Sequence, residues 1–267
     1  MNTIAAASIH ICPNRRFYGR IQATAARTGI ILLLILVVSV SVCPATEVDA
    51  RHHLQVELFP EKQMLQALDE ITIEKSPGDR MDFKLSRRAE QIEVTVNGGF
   101  RKFDFEDGRL QVGLAAGENN QKIRITIRYT AIFDDPAPIR PVNTDNPGYG
   151  VSATISERGS FLLAGSGWYP QWVDGQSSYT LNVIAPEGML AVTAGQSRGH
   201  VTRNGKTEST WLIHDPIRGL SLSVGSYIVR EKNVGNITAA TYFLPQTDHL
   251  AEAYLAGAIA RCSSAAA

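Results

Sequence analysis

The chain has 267 residues, and its 26 acidic and 26 basic side chains leave no formal net charge. Hydrophobic residues make up 44% of it, which is typical of a globular protein and excludes general disorder. Lys and Arg form no cluster beyond residue 50, so the basic surface that binds a phosphate backbone is missing and nucleic acid is excluded as a partner.

Residues 1–50 have the pattern of a targeting segment. An apolar run from Gly29 to Val42 is followed by Pro44 and Ala45, and four arginines precede it: Arg15, Arg16, Arg20 and Arg27. Because the run is shorter than the ~20 residues that span a bilayer comfortably, it predicts a secretory signal, with an uncleaved membrane anchor as the alternative. We therefore expect a protein that is periplasmic, extracellular or anchored at the membrane, with membrane contact through this segment only.

From His53 to Phe133 the hydrophobic residues alternate with polar ones, which is typical of half-buried strands. The sets are Leu54/Val56/Leu58, Ile71/Ile73, Met81/Phe83/Leu85, Ile92/Val94/Val96, Phe103/Phe105, Leu110/Val112/Leu114 and Ile123/Ile125/Ile127/Tyr129. Asn97-Gly98 and Asp107-Gly108 lie between strands and supply the positive φ of tight hairpins. The pattern predicts an antiparallel meander.

A proline-rich stretch from Asp134 to Tyr149 cannot propagate a strand ladder and predicts a long surface loop. Further strands are expected at 161–164, 179–183, 190–192, 210–213, 220–229 and 237–244, separated by Gly and Pro signals. Many short strands with frequent turns indicate an all-β fold. We predict an antiparallel β-sandwich or saddle-like domain over residues 51–247.

The last twenty residues change character. Asp248 is a candidate cap for a helix with an apolar stripe at Leu250, Tyr254, Leu255, Ala258 and Ile259. The sequence offers no following element to bury this stripe. Residues 248–267 are therefore interpreted as the start of a linker helix.

The order of these segments resembles the N-terminal domain of the M1 family of zinc aminopeptidases. The opening HHLQVELFPEKQMLQALDEITI is similar to that family's first hairpin, and GWYPQWVDGQSSYTLNVIAPEGMLAVTAG to its proline-containing loop, strand and P-x-G turn. STWLIHDPIRGLSLSVGSYIV and ITAATYFLP resemble the last strands before the catalytic domain. The likeness covers nearly all of the chain after residue 50 and depends on order and spacing.

The resemblance implies a β domain that packs over one side of a zinc site lying wholly in a following helical domain. There the metal is held by His-Glu-x-x-His and a downstream Glu. None of the six histidines here begins such a motif. We therefore expect no catalytic residue, no metal ligand and no cofactor in this chain, with zinc only in the missing catalytic domain.

The resemblance also implies a Gln or Glu about nine residues before the loop proline, where it holds a substrate's amino group. Counting back from Pro170 leads to Phe161, which is neither. Gln171 and Glu157 are the nearest polar candidates, and neither has the expected spacing.

The densest aromatic cluster of the chain surrounds Pro170 and consists of Trp168, Tyr169 and Trp172, with the polar Gln171 among them. We call this segment the predicted contact loop. Aromatic side chains in a Gly-flanked loop form a binding rim for a substrate or partner, or they cover a sheet edge. Packing is the expected use of at least one Trp, and any contact surface is expected here.

Gly195–Gly199 fits the G-x-S-x-G pattern of a serine-hydrolase elbow, with Ser197 as the nucleophile. The residues that follow predict a hairpin and not the required helix, so a Gly-rich connection is favoured. His214-Asp215 offers half of a catalytic triad, although a solvated strand end before Pro216 is the commoner meaning.

Two metal hypotheses are weaker still. His52 and His53 are neighbours on a strand and point to opposite faces, so they cannot readily share an ion. Asp134-Asp135 and Asp145-Asn146 have the oxygen chemistry of a calcium site without the spacing of further ligands.

The leading hypothesis is a non-catalytic N-terminal domain of an exported M1-like zinc aminopeptidase, with peptides or a catalytic domain as partners. The alternative is an envelope β-sandwich module that binds peptides or glycans through the predicted contact loop. A serine hydrolase is the third possibility, and it requires Ser197 for activity.

Overall fold

A computed structural model describes residues 50–74, 78–118, 121–136, 151–173, 175–235 and 237–265. The predicted signal or anchor segment, most of the proline-rich loop and the Asp145-Asn146 pair lie outside these residues. The described part is mostly strand, with one α-helix, as the sequence predicts.

The strands in chain order are β1 Ala50–Phe59, β2 Met64–Ile73, β3 Arg80–Lys84, β4 Ala89–Val96, β5 Gly99–Phe100, β6 Phe103–Glu106, β7 Arg109–Gly113, β8 Ile123–Ile132 and β9 Ala153–Ser156. They continue with β10 Gly159–Leu162, β11 Gln171–Trp172, β12 Ser177–Pro186, β13 Leu190–Thr193, β14 Gln196–Arg203, β15 Lys206–Ile217, β16 Leu222–Gly225, β17 Ile228–Val234 and β18 Ile237–Phe243. Two 3₁₀ helices span Pro60–Lys62 and Pro245–Leu250, and the helix α1 spans Ala251–Ala265.

The strands form one large sheet and three smaller ones. The eight-stranded sheet has the order β14-β15-β12-β1-β2-β8-β4-β5, and two four-stranded sheets have the orders β13-β16-β10-β9 and β11-β3-β7-β6. The strands β17 and β18 pair only with each other in the described chain. Buried side chains of the large sheet and of both four-stranded sheets belong to one hydrophobic core. This arrangement is the predicted sandwich.

Alternation decides which face of each long strand is buried. In β1 the buried side chains include Leu54 and Val56, and in β8 they include Ile125 and Ile127. Because successive side chains on a strand point to opposite faces, one side of the large sheet faces the core and the other faces solvent.

Two features of the topology differ from the prediction. The strand β1 pairs in parallel with β12, and a parallel pair needs a long crossover that periodicity does not reveal. The strands β3, β6 and β7 leave the expected meander and form another sheet with β11. Sequence order alone predicts that neighbours pair, whereas here the chain moves between layers, so that the core face of the large sheet is covered by the smaller sheets.

The predicted hairpin turns are confirmed. Asn97 and Gly98 have φ of 51° and 84°, and Asp107 and Gly108 have φ of 52° and 80°. These positive φ values are those of a type I′ turn, which matches the twist of the flanking strands.

The C-terminal helix has a partner, contrary to the expectation that its apolar stripe would be uncovered. Ala251, Leu255 and Ala258 are buried, and α1 packs on the β17–β18 hairpin. Leu250 and Tyr254 are the exposed members of the predicted stripe. Periodicity predicts β17 and β18 as two more strands of the sandwich. It does not reveal that the helix packs against them.

Asp248 lies in the 3₁₀ helix before α1 and does not cap it. Its carboxylate instead accepts hydrogen bonds from Nε and Nη2 of Arg230 at 3.0 and 2.6 Å. This bidentate contact lowers the pKa of Asp248 and raises that of Arg230. The ion pair ties the helix entry to β17.

Candidate functional site

The predicted contact loop runs between β10 and β12 and passes directly over the core face of the large sheet. Trp168 and Tyr169 are 0% and 1% exposed, and their rings meet edge to face at 4.8 Å. The indole Nε1 of Trp168 donates to the carbonyl of Leu220 at 2.8 Å, and the Leu220 amide donates to the Tyr169 hydroxyl at 3.0 Å. Each buried polar group on these rings therefore has a partner.

Two further contacts fix the loop against neighbouring layers. The hydroxyl of Tyr129 on β8 donates to the carbonyl of Trp168 at 2.6 Å. Ser86 donates its amide to the carbonyl of Gly167 at 2.8 Å. Gly167 has φ of +77°, and a Cβ on it would lie 2.4 Å from the Ser86 nitrogen, so only glycine allows this approach.

The rings of the predicted contact loop are core side chains and offer no stacking face to a ligand. Trp172 is also buried, at 6% exposure, so the expected use in packing applies to all three aromatic residues. Gln171 is half-buried and donates through Nε2 to the carbonyl of Arg218. Contact of this loop with a substrate or partner stays a prediction, and it would run through Gln171 and the neighbouring surface.

A groove with a volume of about 670 Å³ lies beside this loop and is here called the loop groove. Gly165, Ser166 and Val173 of the loop line one side. The β3–β4 connection, the β6–β7 turn and the end of β8 line the others. Ile132 and Val173 are 43% and 56% exposed there, so two aliphatic side chains face solvent in one place.

Charged residues surround the apolar floor of the loop groove. Arg87 pairs with Asp107 at 2.8 Å, and Arg88 pairs with Asp134. Oδ2 of Asp135 accepts hydrogen bonds from the amides of Ser152 and Ala153 at 2.8 and 2.9 Å. Alternating charges around exposed aliphatic groups are typical of an interface between domains.

A second group of polar residues is one that sequence reasoning missed. His52, Asp69 and Ser177 are 1%, 0% and 2% exposed and lie on β1, β2 and β12. Nδ1 of His52 donates to Oδ2 of Asp69 at 2.7 Å, and its Nε2 lies 3.2 Å from Oγ of Ser177. The sequence does contain a signal that His52 is buried, because His52 lies on the same face of its strand as Leu54 and Val56.

This group has the connectivity of a Ser-His-Asp triad, but its burial leaves no path for a substrate to the serine. A nucleophile must meet its substrate within bonding distance, and Ser177 is 2% exposed and lines neither the loop groove nor the depression on the opposite sheet face. The group is therefore a polar cross-link of three strands, and it is called the buried His-Asp-Ser network below.

Three tyrosines surround this network. Tyr179 stacks on His52 with ring centroids 4.6 Å apart, and Tyr169 meets Tyr179 edge to face at 5.6 Å. Burial is the largest cause that raises the pKa of Tyr129, Tyr169 and Tyr179, and the negative charge of Asp69 adds to it. The three phenols stay protonated, so their hydroxyls remain available as donors.

The serine-hydrolase hypothesis is wrong for Ser197. It lies on β14, an exposed edge strand that forms a hairpin with β15, and its Oγ accepts the amide of Gly199 at 3.1 Å. A nucleophile elbow needs a strand-to-helix turn. His214 is exposed on β15, as expected for a solvated strand end.

The prediction that His52 and His53 point to opposite faces is confirmed, since His52 is buried and His53 is exposed. Of the calcium candidates, Asp134 pairs with Arg88 and Asp135 accepts two backbone amides. Within the described ranges, no group of three or more His, Cys, Asp or Glu is arranged to hold a metal ion. The described residues also contain no helix that is both long and apolar enough to span a membrane.

Comparison with known proteins identifies the fold. No family model and no curated protein matches the sequence. Among solved structures, the M1 zinc metallopeptidase from Deinococcus radiodurans is similar, with a TM-score of 0.53 and 18% identity over 71% of this chain and 45% of that one. A variant of that enzyme bound to a Tyr-Ser-Ala substrate gives a TM-score of 0.54 and 19% identity over 70% of this chain and 45% of that one.

Aminopeptidase A from Legionella pneumophila, solved with aspartic acid, is similar with a TM-score of 0.51 and 15% identity over 71% of this chain and 23% of that one. The chain thus spans less than half the length of the M1 peptidases it matches. Its fold is that of a β domain found in M1 zinc metallopeptidases, as the sequence resemblance predicts. At these identities the likeness shows the fold alone.

Proposed function

We propose that this chain is the non-catalytic N-terminal domain of an exported M1-like zinc aminopeptidase. The observation that supports it is the partial match, in which about 70% of this chain corresponds to less than half of a two-domain zinc peptidase. In the intact protein a helical domain supplies the zinc and hydrolyses peptides from the N-terminus. The residues described here contribute a rigid β platform.

The loop groove is the surface that suits a catalytic domain. It combines the exposed aliphatic side chains Ile132 and Val173 with arginines and aspartates, and the core-anchored loop beside it cannot shift easily. The alternative, a glycan- or peptide-binding module, needs the rings of the predicted contact loop at the surface. Their burial removes the face on which a sugar would stack.

The coding DNA downstream of the last codon provides the first test. A reading frame that encodes His-Glu-x-x-His there supports the proposal, and its absence favours a free-standing module. The purified chain by itself should hold no stoichiometric zinc and should not cleave aminoacyl reporters. Stoichiometric zinc together with unaided cleavage would contradict the proposal.

The second test measures association of the chain with the catalytic domain encoded by that frame. Val173→Asp places a charge in the loop groove and should weaken the affinity by about tenfold or more. The matched control is Phe100→Asp, since Phe100 is 87% exposed on β5 at the far edge of the large sheet. Equal affinity of both variants and the parent chain would rule out the loop groove as the interface.

A further inference from the structure

A second depression, with a volume of about 250 Å³, opens on the solvent face of the large sheet and is called the bulge pocket here. It lies across β1, β12 and β15, on the face opposite the hydrophobic core. Its outward-facing residues are Arg51, His53, Ser178, Thr180, Leu212 and His214. The volume is below that of most pockets for drug-sized ligands, so it suits a small group.

A β-bulge creates this depression. Ser177 pairs with Ile217 and Tyr179 pairs with Ile213, so the single residue Ser178 on β12 lies opposite three residues on β15. These three are His214, Asp215 and Pro216, and Pro216 has no amide to donate to the ladder. Asp215 is exposed but does not line the pocket. Bulges interrupt pairing and redirect side chains, often next to functional sites.

The residues that line the bulge pocket include arginine and histidines but no acid. The carboxylate of Glu74 lies 3.5 Å from Arg51 and 3.1 Å from Lys122, so one negative charge is shared by two cations. Glu70 pairs with His53 across the β1–β2 ladder, on the side away from β15, and does not line the pocket. Arg51 is therefore the one formally charged residue of the lining, while Glu70 and Asp215 lie next to His53 and His214 outside it.

The donors in the bulge pocket match the geometry of an oxyanion. A guanidinium, two imidazoles and two hydroxyls all donate hydrogen bonds, and bonds from a cation to an anionic oxygen are the stronger kind. A divalent metal is a poorer fit, because the lining offers two outward-facing imidazoles besides the buried His52 and no carboxylate, and the described chain has no three-ligand group.

We propose that the bulge pocket binds a small oxyanion, the phosphate or carboxylate group of a ligand, through Arg51, His53 and His214. Ser178 and Thr180 contribute hydroxyls to the same group. This site is independent of the peptidase-related function, because it lies on the sheet face opposite the core and shares no residue with the loop groove.

The test titrates the full chain with inorganic phosphate and, separately, with acetate, and follows backbone amide signals by nuclear magnetic resonance. Signals of β1, β12 and β15 around the bulge should shift. The double variant His53→Ala/His214→Ala should bind about tenfold more weakly, and Arg51→Gln should show a loss of similar size. His200→Ala is the matched control, since His200 is exposed on the edge strand β14 and should leave the affinity unchanged.

Equal binding of phosphate and acetate would show that the pocket accepts any small oxyanion. Binding of only one would show whether it prefers a phosphate or a carboxylate group. No saturable shift with either anion would overturn the proposal. Unchanged affinity in the double variant and in Arg51→Gln would also overturn it. All three altered side chains are at the surface, and circular dichroism checks that the variants keep the parent fold.

Discussion

Gly167 illustrates how one residue sets the position of the predicted contact loop. Its left-handed φ of +77° and the short distance to the Ser86 nitrogen exclude a side chain, and the indole and phenol next to it fill the core. The loop is held by hydrogen bonds from Tyr129 and Ser86 to two successive carbonyls. A glycine at this position therefore lets the loop approach closely enough to place the aromatic side chains that follow it.

Gly167→Ala should lower the free energy of unfolding by about 2–5 kcal/mol, because left-handed strain and overpacking add together. Gly188→Ala is the matched control: Gly188 also has a positive φ, +82°, but a Cβ on it would meet no other atom within 4 Å. Gly188→Ala should lower the free energy of unfolding only by the left-handed strain, roughly 1–2 kcal/mol. Urea denaturation measures both, and equal losses would contradict the contact argument.

At the scale of strands, the buried His-Asp-Ser network joins β2, β1 and β12. It bridges the antiparallel β1–β2 pair and the parallel β1–β12 pair, a contact that the sequence pattern does not reveal. Buried polar groups are stabilising only while each has its partner.

Asp69→Ala should lower the free energy of unfolding by about 3–5 kcal/mol, because it leaves the His52 imidazole buried without its carboxylate. Glu93→Ala removes an exposed ion pair with Arg128 and should leave the denaturation midpoint almost unchanged. A loss of stability for Asp69→Ala no larger than that of the control would show that the network contributes little.

At the scale of the whole molecule, buried tyrosine side chains make the stability of the fold depend on pH. Burial raises the pKa of Tyr227 from 10.0 to about 12, and it raises those of Tyr129, Tyr169, Tyr179 and Tyr242 as well. In the unfolded chain these groups lose their protons first. The contribution of these phenols to the free energy of unfolding is therefore fully present below pH 10.0. It is lost as the pH rises through their folded-state pKa values.

The free energy of unfolding, measured by urea denaturation at increasing pH, should fall steadily above pH 10.0. Tyr227→Phe should make this fall shallower between pH 10.0 and about 12. Tyr254→Phe, at a tyrosine that is 48% exposed, is the matched control for the loss of a hydroxyl. A free energy that stays constant over this interval would contradict the assignment of buried neutral phenols.

Most of the strands and the hairpin turns were predictable because they depend on local rules. Alternating residues such as Leu54 and Val56 define a half-buried strand, and Asn97-Gly98 defines a tight turn. Trp168 was harder to interpret, because an aromatic side chain in a loop packs inward or faces a ligand according to what lies above it. Leu220, which supplies its hydrogen-bond acceptor, is 52 residues away.

The sequence by itself determined the all-β class and the positions of most strands and turns, because periodicity and turn chemistry act over a few residues. The order of its segments also resembles that of M1 peptidases. Only the tertiary structure decided the parallel β1–β12 pair, the three-strand network of His52, Asp69 and Ser177, and the bulge at His214. Each of these brings together residues far apart in the chain, and the free energy of such contacts depends on packing that no local pattern encodes.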